Sequence, residues 1–238
     1  MKFFLLRIIY SGLVFCDAEG LTREKSTLKN TLKPEFNGNI NFNHKFLNTG
    51  ISLKRIDDQI KRSLYKVDEN NELIWNCHHP KALAEITYNG NIYKGLGYAE
   101  TLFCPINPLK LPMQVLRWGR FLSDSHTVIW INWKGEHPLN KIFLNGTEYN
   151  DAIFENEIII FNDGNNKLEF SQIQTIRDGR LSGLFSKFKF MKIFFNDVGL
   201  SLTAPEIASG AGGQLCSAVR RVGRRGIVQL PADRFLLR

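Results

Sequence analysis

The sequence predicts an all-β protein whose middle, roughly residues 75–177, is an antiparallel meander curled around an interior as a complete or truncated barrel. Three observations predict it. Two Asn-Gly dipeptides, Asn89-Gly90 and Asn145-Gly146, each stand between β-type runs, and both residue types accept the positive φ that a type I′ hairpin turn demands. Residues 128–133 (VIWINW) and 157–161 (EIIIF) are dense in β-branched and aromatic side chains, the composition of packed strands. No long helical pattern separates these runs, which is how a sandwich or barrel reads.

Three zones follow from composition. Residues 1–70 form a loop-rich N-terminal segment with early strands. Its first 16 residues (MKFFLLRIIYSGLVFC) have the basic start and apolar bulk of a secretory signal. Arg7 cuts the apolar run and no small-x-small cleavage site follows, so a buried strand fits as well. Residues 17–70 are rich in Lys, Asn and Thr, predicting loops, weak strands and a short helix near 54–64.

Residues 71–200 are the β core. The run 83–88 turns at Asn89-Gly90 and continues extended from Ile92. Residues 128–133 turn at Lys134-Gly135-Glu136, and 141–144 come back to Asn145-Gly146. The strand 157–161 meets Asn162-Asp163-Gly164-Asn165, and 167–176 (KLEFSQIQTI) closes the series with Leu168, Phe170 and Ile173 inward, ending at Asp178-Gly179. Residues 201–238 abandon Lys and Asn for Arg, Gly and Ala. They predict a basic, disordered or foreign-frame tail that stands apart from the fold.

At 238 residues the chain supports one substantial β domain. No run approaches the roughly 18 apolar residues of a membrane-spanning helix. The net charge is +8, and the six arginines of the tail, against Glu206 and Asp233, supply half of it. The remainder is a dispersed Lys excess with no recognition motif, which argues against a nucleic-acid partner. Cys16, Cys77, Cys104 and Cys216 form no C-x-x-C pair, and with the five histidines they make no zinc spacing. The adjacent His78 and His79 project to opposite faces of a strand. Free thiols favour a reducing, cytoplasmic compartment over secretion. The sequon Asn145-Gly146-Thr147 falls on a tight turn with little room for a glycan.

The segment 75–133 carries the functional signal. Trp75, Trp118, Trp130 and Trp133 all fall within it, which suggests a core or a cavity wall. Residues 95–100 (GLGYAE) sit late in a strand, where glycines mark a bulge or a close backbone approach. Leu96, Tyr98 and Glu100 are two apart and share a face. A carboxyl beside apolar groups has a raised pKa and holds its proton toward neutrality. Pro105, Pro108 and Pro112 impose a crossing loop, and 116–122 restart a strand with Trp118 and Arg120 on one face. The same residues also fit an ordinary wall, with Glu100 paired to Arg117 or Arg120 and with Tyr98 and Trp118 as core.

The order Gly-x-Gly-Tyr-x-acid, proline loop, Trp-Gly-Arg resembles the lipocalin-like family that includes carotenoid 1,2-hydratase (hydroxyneurosporene synthase). The matching residues are Gly97, Tyr98 and Glu100, then Trp118, Gly119 and Arg120. Trp75 with Pro80-Lys81-Ala82 resembles the family's approach to the same strand pair. The resemblance implies a lipocalin-like barrel with an apolar interior, an apolar small molecule as partner, and no cofactor or metal. In the hydratases a buried acid protonates a terminal double bond and water captures the carbocation. Carried over, Glu100 is the proton donor with Tyr98 beside it as the catalytic pair, and Trp75, Trp118 and Arg120 bind the ligand. Three functions are therefore expected in competition: a binder of an isoprenoid or lipid-type molecule, a hydratase acting through Glu100, and a truncated barrel without activity.

Overall fold

The computed structural model describes residues 11–16, 22–27, 36, 38–106, 111–155, 158–170, 173–180, 199–205, 218–222 and 234–237. Apart from one 3-10 turn, Lys45–Leu47, every regular element among them is a β-strand. All their pairings are antiparallel.

The strands β1 (Ser11–Cys16) and β2 (Thr22–Thr27) pair with each other. A second sheet runs β3 (Asn39–His44), β4 (Thr49–Arg55), β6 (Asn71–Tyr88) and β5 (Ile60–Asp68), with β7 (Asn91–Phe103) hydrogen-bonded to β6. A third sheet contains β8 (Met113–Leu122), β9 (Thr127–Gly135), β10 (Leu139–Leu144) and β11 (Thr147–Tyr149), and beyond β8 it takes in β17 (Ala218–Val222), β16 (Gly199–Pro205) and β15 (Ile173–Arg180). The fourth joins β12 (Ile153–Phe154), β13 (Ile158–Phe161), β14 (Asn166–Glu169) and β18 (Arg234–Leu237).

The expected hairpins are present. Asn89 (φ 49°) with Gly90 (φ 85°), and Asn145 (φ 49°) with Gly146 (φ 85°), take the left-handed conformations of a type I′ turn. The helix expected near residues 54–64 is instead the end of β4, a turn and the start of β5. Buried Ile60 and Leu64 are four apart, a spacing that a strand also produces when a polar residue, here Arg62, stands between them on the same face. The strand expected over 167–176 divides into β14 and β15, which join different sheets, and Asp178-Gly179 lies inside β15. Leu168 and Phe170 are buried as expected, and the side chain of Ile173 lies outside the described residues.

Among the described residues no sheet closes on itself. Among the described residues β7 pairs with β6, and β8 pairs with β9 and β17. The connection contains Pro105 and Pro112, which cannot donate to a ladder. Expected Pro108 lies outside the described residues.

The long strand β6 positions the site. It carries an extra residue at each of two bulges, between Cys77 and His79 and between His79 and Ala82. Bulges bend a strand and re-aim its side chains. The inward face therefore changes from Leu73, Trp75 and Cys77 to Ala82, Ala84 and Tyr88. His78 and His79 diverge, as their adjacency predicts: His78 stacks on Phe36, while His79 Nε2 donates to the Gly38 carbonyl at 2.7 Å. Buried Lys81 reaches the carbonyls of Ser123 (3.5 Å) and Asp124 (3.3 Å), tying this bend to the β8–β9 turn.

Two of the three buried clusters flank β7. One gathers Trp75, Cys77, Ile129, Ile131, Trp133 and Phe143, with Tyr98 and Trp118 against it. Another joins Ile40, Leu53, Ala82 and Ala84, with Ala99 against it. The third packs Trp130, Ile142, Phe161 and Leu168 at the far end. No helix among the described residues is long and apolar enough to cross a membrane.

Candidate functional site

Three consecutive stretches of strand bring the candidate residues together. In the β6–β7 register Cys77 lies opposite Glu100 and Trp75 opposite Leu102. Alternation then places Trp75, Cys77, Tyr98 and Glu100 on the inner face. From β8, Trp118 meets Trp75 edge-to-face at 6.2 Å between ring centroids, and the Arg120 guanidinium carbon lies 4.4 Å from the centroid of the Tyr98 ring. A cation over an aromatic face is an attractive arrangement.

The Glu100 carboxyl is the centre of this group. Its Oε2 accepts from Tyr98 OH at 2.5 Å and from Trp75 Nε1 at 2.5 Å. Trp118 Nε1–H bears on the same carboxyl without closing a hydrogen bond of normal geometry. Burial pushes the carboxyl above the ordinary carboxylate range, against the pull of the Tyr98 and Trp75 bonds and the Arg120 charge. Both donors converge on Oε2. Tyr98 is held well above its usual pKa, by burial first and then by the charge of Glu100. Burial likewise pushes the Cys77 thiol up to about 12. Arg117, the other cation considered for Glu100, donates through Nη1 to the Glu155 carbonyl at 2.7 Å.

Tyr98, Glu100 and Arg120 form the polar end of a half-open cleft of about 560 Å³. The rest of its wall is mainly apolar, from Ile40 and Phe42 of β3, Ile51 and Leu53 of β4, and Ala84 and Ile86 of β6. Gly97 permits that wall to close up: a Cβ there would meet Leu53 Cδ2 at 2.7 Å and Ala84 Cβ at 2.8 Å. Expected Trp75 and Trp118 do not line the cleft; they stand behind Glu100, in the core.

Sequence reasoning missed the β3–β4 wall, which lies in the zone read as loops and weak strands. Ile40 with Phe42, and Ile51 with Leu53, carry the period-two signal of half-buried strands. It also missed Cys77, which touches Tyr98 from the opposite strand. Cys77 and Cys104 are free thiols, and the side chains of Cys16 and Cys216 lie outside the described residues. No group of three or more His, Cys, Asp and Glu side chains among the described residues is placed to hold a metal ion. No family model, curated protein or solved structure matches the chain.

Proposed function

We propose that the protein is an incomplete lipocalin-like barrel that binds an apolar small molecule of isoprenoid or lipid type, with the polar end of the ligand at Tyr98, Glu100 and Arg120. The observation that carries this reading is the cleft itself. Its volume of about 560 Å³ falls within the roughly 300–1,000 Å³ of small-molecule sites, and an apolar wall with a few convergent polar groups is their usual composition.

Titration with Nile red, a neutral apolar fluorophore, tests the reading. Saturable binding of one probe per chain is expected, and Ile51→Glu, which sets a carboxylate into the cleft wall, should abolish it. Absence of saturable binding by the parent protein overturns the proposal.

A second reading is favoured by one observation, the burial of the Glu100 carboxyl against the cleft, which pushes its pKa upward. In an alkene hydration, that proton adds to the less substituted carbon, the π electrons form the new C–H bond, and water captures the cation at the other carbon. The proton released by the added water returns to the Glu100 carboxylate. Glu100→Gln preserves shape and removes the donor, so hydration of a terminal isoprenoid alkene should fall at least about a hundredfold. Nile red binding should survive the same change. Unchanged turnover in the variant removes the catalytic assignment and leaves the binding reading intact.

A further inference from the structure

Lysine is almost never buried unless its charge is matched, and Lys81 is 7% exposed. It stands inside the second bulge of β6, where the strand bends. Besides the Ser123 and Asp124 carbonyls, its ammonium has the Asp57 carboxylate at 4.0 Å. The Lys81 carbonyl accepts from Ile56 N at 2.9 Å and from Asp57 N at 3.3 Å. Asp57 Oδ2 accepts from Thr127 Oγ1 at 2.5 Å, and Thr127 N donates to Asn145 Oδ1 at 2.8 Å. One polar junction thus joins the β4–β5 turn and the β6 bend of the second sheet to the β8–β9 and β10–β11 turns of the third.

The junction lies next to Arg120. In the β8–β9 register Leu122 is opposite Thr127, and Arg120 is the residue before Leu122 on the same face of β8. Arg120 and Trp118 reach Tyr98 and Trp75, yet among the described residues no backbone ladder joins β8 to β7. Side chains that cross between the sheets must then set the offset of the two strands. Apolar packing, such as that of Trp75 on Trp118, presses the sheets together but is non-directional, whereas hydrogen bonds have preferred angles. Arg62 and Glu148 also cross, but Glu148 belongs to β11, three strands from β8. The junction crosses beside β8 itself.

We propose that the Lys81–Asp57–Thr127 junction positions Arg120 over the Tyr98 ring and beside the Glu100 carboxyl. The three junction residues lie outside the lining of the cleft, so they are positioning residues that act through Arg120. The groups that face the carboxyl are Trp75 and Cys77 from β6, Tyr98 from β7, and Trp118 and Arg120 from β8. Arg120 is the cation among them, and its charge pulls the carboxyl pKa down while burial raises it. Displacing the guanidinium weakens that pull, because the attraction between charges falls with distance. For the ligand site proposed above, the junction thereby sets the charge that meets the ligand's polar end. That consequence rests on the ligand reading; the positioning of Arg120 does not.

Carbon-13 NMR of the Glu100 side-chain carboxyl, titrated in the ligand-free protein, tests it. Thr127→Val removes the bond to Asp57 without altering any charge, and Lys81→Met removes the buried cation. Arg120→Met is expected to raise the midpoint of the carboxyl titration, and Thr127→Val and Lys81→Met to raise it in part. On the Arg120→Met background neither should raise it further, since changes that act through one group are not additive. A midpoint that stays at the parent's value in Thr127→Val overturns the proposal, even where urea shows lowered stability. A rise that persists on the Arg120→Met background overturns it as well, because the effect then bypasses Arg120. Should Lys81→Met not fold, Thr127→Val carries both comparisons. No ligand is added, so the outcome is separate from the Nile red titration: absence of probe binding leaves the junction standing, and an unchanged midpoint leaves probe binding standing.

Discussion

Glu100 shows how a residue's chemistry is set by two strands and not by its own neighbours in sequence alone. Its face could be read from the spacing of Leu96, Tyr98 and Glu100, and alternation places it beside Tyr98. The Trp75 bond could not, because it crosses from β6 and depends on the hairpin register. The raised carboxyl pKa has a consequence for stability. Folded Glu100 keeps its proton to higher pH than unfolded Glu100, whose reference value is 4.5. The folded state therefore binds more protons in that interval, and stability falls as pH rises through the raised folded value. The urea midpoint of the parent should drop relative to that of Glu100→Gln across this rise and run parallel above it. A difference that stays constant with pH would show that burial does not perturb the group.

At the scale of elements, β6 and β7 divide the work. Two bulges turn β6 from one inward face to another, while β7 passes between two clusters and touches both, Tyr98 on one side and Ala99 on the other. Gly97 is the contact that allows this. Gly97→Ala would force a methyl against Leu53 and Ala84, an overpacking that costs about 1–3 kcal/mol. The variant should unfold at lower urea and bind Nile red more weakly, since Leu53 also lines the cleft. Unaltered stability would mean that β7 and β4 separate without cost. The turns of these elements were legible because Asn-Gly has a local conformational reason. The β5 strand was not, since two apolar residues four apart satisfy a helix as well as a strand.

For the whole molecule, the question is what the chain beyond residue 198 contributes. Strands β16, β17 and β18 add backbone pairing to two sheets. The buried clusters among the described residues draw their members from Ile40 to Phe170. Apolar burial supplies most of the folding free energy, so the core should persist without the tail. Deletion from Ser201 is expected to leave a fragment that still unfolds cooperatively in urea. Loss of the cooperative transition on that deletion would place the tail inside the folding unit.

The sequence by itself determined that the chain is all-β and antiparallel, where its two Asn-Gly hairpins turn, and which face of β7 carries Tyr98 and Glu100. Each of these follows from local rules, the φ preference of a dipeptide or the two-residue period of a strand. Tertiary structure alone decided that β7 and β8 do not pair among the described residues, that Trp75 and Trp118 back the carboxyl instead of lining the cleft, and that Ile40, Phe42, Ile51 and Leu53 build its wall. Those outcomes depend on register and on which sheet a strand joins, which are fixed by contacts between residues far apart in the chain.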